Sequence, residues 1–127
     1  MDPVRVTDIR VRADRLIITV ACAEGARRTT PGLAKALVDA VPTLPAHACV
    51  NDRGPTFGAV LADTSVPHVL EHLIIDAQAR AGEGTFVGNT AWIDEDAGIA
   101  RIEVSYADDL AALSAVKGAL GVLNGVL

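Results

Sequence analysis

Apolar and polar residues alternate from Val4 to Val11, the period of a half-buried strand, and Asp8 breaks the alternation where a bulge would fit. Leu16, Ile18, Val20 and Cys22 repeat the pattern over Arg15 to Cys22. Only Ala13-Asp14 and their neighbours separate the two runs, which predicts an antiparallel hairpin. The period then changes. Thr30-Pro31 supplies a hydroxyl cap and a proline at the first helical position, and Leu33, Leu37 and Val41 form an apolar stripe that Pro42 closes. The stretch "PTLPAHACVNDRGPTFGAVLAD" keeps no period and predicts a long connection.

A second helix follows over "VPHVLEHLIIDAQARAG", capped by Thr64 or Ser65 and ended by Gly82. Thr85 to Ile93 and Ile99 to Tyr106 read as another hairpin around "DEDAG". On its second strand Ala100, Ile102, Val104 and Tyr106 face the core, while Arg101, Glu103 and Ser105 face away. Asp108 or Asp109 caps a last helix, with Leu113, Val116, Leu120, Leu123 and Leu127 on its packed side. Gly118 and Gly121 weaken that helix by roughly 1 kcal/mol each and would admit a close neighbour. The order ββααββα predicts a single α+β domain over residues 1–127, with a mainly antiparallel sheet of about four strands packed against helices.

Composition narrows the function classes. Half the residues are hydrophobic and only 3% are aromatic, so the core is aliphatic. No uninterrupted apolar run reaches the roughly 18 residues of a membrane span, and Met1 leads into charge; a cytoplasmic protein without membrane contact is the expectation. A net charge of −5, with no basic stretch interleaved with aromatics, argues against nucleic-acid partners. Charge is uneven: Met1 to Arg53 holds eight basic against six acidic residues, and Gly54 to Leu127 three against ten. Cys22 and Cys49 need not pair, and each can be a small hydrophobe or a ligand.

The chemistry concentrates in the second helix. Val66, Val69, Leu70, Leu73, Ile74 and Ala77 make its core stripe, and His68 and His72 fall almost opposite, flanked by Glu71 and Asp76. Ile75 and Ala79 continue that second face, so it suits a partly covered cleft wall or a homo-oligomer contact. Two imidazoles one turn apart can grip one zinc ion. Glu71 is too close in sequence to serve comfortably as a third ligand. In an H-x-x-E-H helix of the inverzincin kind it would instead activate a metal-bound water. Asp76 stands eight residues beyond His68, about 12 Å of helical rise, and so fits better as an outer partner accepting the spare N–H of His72.

His47 and Cys49 are the candidates to complete the site, since the i, i+2 spacing of an extended "AHAC" turns both to one side. Glu103 is a weaker choice. One further ligand leaves an open, catalytic position; both together close a structural tetrahedron. The bland alternative is a solvated helix face that carries two histidines by chance. All three histidines of the chain, however, lie between His47 and His72.

The segments "LPAHAC", "HVLEHLIIDAQARAG" and "IARIEVSYADD", followed by an Ala/Leu-rich helix, resemble the N-terminal domain of cyanophycin synthetases. The match in order and spacing runs from Leu44 to the C-terminus. Cyanophycin is an aspartate backbone bearing arginine on its side chains. The resemblance implies a domain that holds such a polymer, and in some members a metal-dependent hydrolytic site on the H-x-x-E-H helix. Carried over by position, His68 and His72 would be metal ligands and Glu71 the catalytic base. Three departures weaken the transfer: Asp76 and Ser105 stand where relatives carry glutamate, and "FGAVLADTS" lacks their basic residue. No G-x-x-x-x-G-K-[ST] phosphate loop occurs, so this chain is not expected to synthesise the polymer by itself.

The leading expectation is therefore a zinc-dependent peptidase or amidohydrolase acting on a peptide or an Asp/Arg-type polymer. Arg53 and Arg101 would offer charge to the substrate. The rival is a non-catalytic peptide- or polymer-binding module without metal chemistry.

Overall fold

The computed structural model describes residues 2–82 and 84–127. Strands β1 (Val4–Val11) and β2 (Arg15–Cys22) form the first hairpin, and β3 (Gly88–Asp94) and β4 (Ile99–Ser105) the second. They make one antiparallel sheet in the order β1-β2-β4-β3. The register of β1 against β2 shifts between Val6 and Asp8, so the break in the alternation is a bulge. The expected strand Thr85 to Ile93 starts later, at Gly88. Ser105 then holds Val87 from both its main chain and its hydroxyl, at 2.8 and 2.9 Å. Gly98 closes the second hairpin at φ +74°, where its backbone also lies against the Cys22 carbonyl.

Helices α1 (Pro31–Ala40), α2 (Val66–Ala81) and α3 (Asp109–Val126) complete the ββααββα order of an α+β domain. Each begins on a side-chain cap: Thr30 accepts from Leu33 N, Ser65 from His68 N and Asp108 from Ala111 N. Helices α2 and α3 lie together on one face of the sheet, where Leu16, Ile18, Val20, Ala100, Ile102 and Val104 are fully buried. The other face carries Arg101, which is exposed, and Glu103, which pairs with Arg15 at 3.1 Å.

The buried side of α3 is made of small residues. Ala112, Ala115, Val116, Ala119 and Leu123 are buried, whereas Leu113 and Leu120 are half-buried and Leu127 is exposed. Alanines let the α3 backbone approach α2. Gly118 and Gly121 do not serve that approach, because a side chain at either would meet only open space. By length and composition α3 could cross a membrane, with a mean hydropathy of 1.2 over 18 residues. Its contacts with α2, α1 and β1 already give the apolar side a partner.

The connection between α1 and α2 folds onto α2 through two single-turn 3-10 helices, Leu44–Ala46 and Phe57–Ala59. An isolated bridge between Ala48 and Thr56 ties its limbs, and Phe57 N donates to the His47 carbonyl at 2.8 Å. As a result α2 is covered almost all round. Beyond its apolar stripe, Glu71, His72, Asp76 and Gln78 are each no more than 5% exposed. The second helix face is thus largely an interior surface rather than a cleft wall; on it Ala79 is exposed, and His68 and Ile75 are half-buried.

Candidate metal centre

His47 leaves its 3-10 turn in an extended conformation, and the bridge at Ala48 keeps the chain extended through Cys49. The i, i+2 spacing therefore sends both side chains toward α2. There Cys49, His68 and His72 each bring one donor atom within 4.8 Å of the other two. Cys49 Sγ lies 3.6 Å from His68 Nε2. Zinc bound to sulfur at about 2.3 Å and to nitrogen at about 2.05 Å in a tetrahedron would separate those atoms by roughly the same 3.6 Å. One thiol and two imidazoles are a donor set suited to zinc, and the Cys49–His68 spacing fits it.

Burial keeps the imidazoles neutral, as metal ligation requires. His72 is pushed down to about 3 by loss of water, with the nearby His68 and His47 adding to the effect. Burial also lowers His68. Phe57, fully buried, walls the pair: its ring stacks on His72 at 4.0 Å between centroids and meets His68 edge-on at 4.9 Å. Thr64 Oγ1 lies 2.9 Å from His68 Nδ1, so a hydrogen on Nδ1 leaves the Nε2 lone pair facing Cys49.

Glu71 points from α2 toward β3, where Thr90 donates its hydroxyl to Oε1 at 2.7 Å. Burial raises its pKa, and the Thr90 hydrogen bond opposes the rise. Its Oε2 lies 3.7 Å from His72 Nε2; with His72 neutral this is a polar contact rather than an ion pair.

Asp76 does not take the spare N–H of His72. One turn further along α2 it faces the 42–49 segment instead, accepting from Thr43 Oγ1 at 2.6 Å and pairing with His47 Nε2 at 2.9 Å. Arg80 Nε approaches the other oxygen to 2.7 Å, but off the N–H axis, so Oδ2 has a charged neighbour without an aligned hydrogen bond. Burial pushes Asp76 up, while Thr43, His47 and the Arg80 charge outweigh it and hold the carboxyl below its ordinary range. His47 stands beside the trio, with Nδ1 3.3 Å from His72 Nδ1.

The remaining expected residues lie apart from the cluster. Arg53 is bound to Asp63 at 2.9 Å, as is Arg28 at 2.7 Å, in an exposed cluster at the approach to α2. Arg101 and Glu103 occupy the sheet face that α2 does not cover. Sequence reasoning missed Phe57, Thr43, Thr64 and Thr90. A rare aromatic in an aperiodic connection was the one available signal, for Phe57.

These features define a small α+β domain with a Cys/His/His cluster seated on its central helix. Over residues 16–127 the chain matches the cyanophycin synthase-like N-terminal domain family, and it belongs to that family. No protein of curated function matches it. The family match leaves out β1, which pairs along the edge of β2 away from the cluster.

Proposed function

We propose that this domain binds zinc through Cys49, His68 and His72 and hydrolyses a peptide or amide bond, with Glu71 as the proton acceptor. The observation that carries the reading is the position of Glu71, a buried carboxyl with a raised pKa 3.7 Å from His72 Nε2. A general base works best when its pKa lies near the operating pH, and burial moves Glu71 that way. Bound zinc would supply Lewis-acid polarisation of a carbonyl and lower the pKa of water. Three protein donors leave one position for substrate chemistry. Thr90 holds one oxygen of Glu71, which leaves Oε2 to receive a proton.

Family membership and the resemblance to cyanophycin synthetase domains support an Asp/Arg-type polymer or a related peptide as the substrate class. A second reading, a binding module in which any metal is structural, draws on the burial of Glu71 and His72 at 4% and 3% exposure. The deciding experiment measures metal content of protein purified without chelator, then assays hydrolysis of a peptide and Asp/Arg-polymer panel by wild type and Glu71→Gln. Stoichiometric zinc with turnover lost in Glu71→Gln supports the hydrolase. Zinc without turnover supports the second reading with a structural metal, and absence of zinc removes the hydrolase and leaves a binding module without metal chemistry.

A further inference from the structure

The two outer strands of the sheet are built differently. β1 carries Arg5, Asp8 and Arg10 and is bent by its bulge, features that keep an edge strand from pairing further. β3 has neither charge nor proline from Gly88 to Ile93, and its register is regular from Gly88 to Trp92. Val87 and Ile93, at its two ends, are 68% and 57% exposed. Ser105 N donates to the Val87 carbonyl, so Val87, Asn89 and Ala91 are the residues whose main chain turns toward β4. Gly88, Thr90 and Trp92 therefore turn their N–H and C=O groups outward. Among the described residues, none of these groups has a hydrogen-bond partner.

This open row borders the candidate metal centre. Thr90 holds Glu71, and Gly88 lies against the Glu71 side chain. At about 100° per residue around α2, Ile75, His68 and Ala79 fall between Glu71, which faces β3, and His72, which faces the connection. Ile75 and His68 are half-buried and Ala79 is exposed. An accessible strip of α2 thus runs between the edge of β3 and the segment bearing Cys49.

We propose that the edge of β3 docks the main chain of an extended peptide, which pairs with Gly88, Thr90 and Trp92 as a fifth strand. The proposal rests on the hydrolase reading only in taking that peptide to be the substrate. A strand added about 4.8 Å beyond β3 would run along the accessible strip of α2, beside Glu71. Recognition of this kind draws its affinity from main-chain hydrogen bonds, which demand an extended backbone. A second copy of β3 is the competing occupant, but each copy carries a net charge of −5, and like-charged copies repel.

The test uses metal-free protein and a capped hexapeptide of alternating Asp and Arg, with a counterpart N-methylated at two adjacent central residues. Methylation there keeps every side chain but removes a donor from each edge of the peptide. With the first peptide at ten times its Kd, amide exchange at Gly88, Thr90 and Trp92 should slow about tenfold. Asn89 and Ala91, already bonded to β4, should change little, and the methylated peptide should protect none of these amides. No slowing at Gly88, Thr90 and Trp92, or equal slowing by both peptides, overturns the proposal. So does protection that grows with protein concentration alone alongside a dimeric mass, which would assign the edge to a second copy. Zinc-loaded protein then separates the two readings. Protection without cleavage upholds the docking edge and removes the hydrolase, whereas cleavage without protection overturns the docking edge alone.

Discussion

Gly88 on β3 and Glu71 on α2 are in such close apposition that a Cβ at residue 88 would lie 3.1 Å from Glu71 Cγ. The same Cβ would stand 2.7 Å from the Glu103 carbonyl oxygen, on backbone that cannot swing aside. Gly88→Ala should therefore push β3 off β4 and α2. Overpacking of this kind costs about 1–3 kcal/mol, readable by urea unfolding. A stability equal to wild type would show that β3 has slack to give.

Phe57 should matter to both the core and the cluster. Phe57→Ala is expected to cost roughly 3–5 kcal/mol. Where the variant remains folded, water reaching His72 should lift its pKa from about 3 toward the ordinary histidine value. An NMR titration of the histidine rings follows the second effect, and an unchanged His72 would refute the wall assigned to Phe57.

Acid should destabilise the metal-free protein through His72 and His68. The unfolded chain takes up a proton at an ordinary pKa near 6.5, whereas folded His72 resists until about 3. Its contribution is present above 6.5 and is lost as pH falls toward 3, about 2 kcal/mol between pH 7 and 5. His68 acts in the same direction. Glu71 acts oppositely, because its raised pKa makes the ionised form a cost that acid relieves. Glu71→Gln should thus be more stable than wild type at pH 7 and lose more stability on acidification. Parallel unfolding curves at pH 7 and 5 check both signs.

Zinc should stabilise the fold. A ligand at a hundred times its Kd contributes about 2.7 kcal/mol, seen as a higher Tm that chelator reverses. Cys49→Ser should blunt the shift, since it removes the thiolate donor. A Tm indifferent to zinc in wild type would contradict the donor set.

The backbone was largely readable from local signals. Period, hydroxyl caps and the Asp8 interruption set β1, β2, α1 and α2 to within a residue or so of their observed bounds. The meeting of Cys49 with His68 and His72 was also readable, because an i, i+2 pair leads directly to an i, i+4 pair. What could not be read was what covers α2. Thr90 reaches Glu71 only through the register of β3 on β4, and Phe57 reaches His72 only through the folding back of the connection. Asp76 illustrates the same limit. Helical spacing placed it beside His72, but Thr43 and His47 compete for it from outside the helix and prevail.

The pairing of β2 with β4 joins Ala21 to Ile99 and Arg15 to Ser105, partners separated by most of the sequence. During synthesis the first hairpin must wait, its inner edge bare, until the ribosome has delivered the second. Long-range strand pairing is slow and leaves such edges open to intermolecular association. The helix bearing the histidines emerges in that interval with no completed sheet to lie on. Assembly of this domain should accordingly be late and concerted, and a nascent chain arrested before Ile99 should be a better client for a chaperone than a folded one.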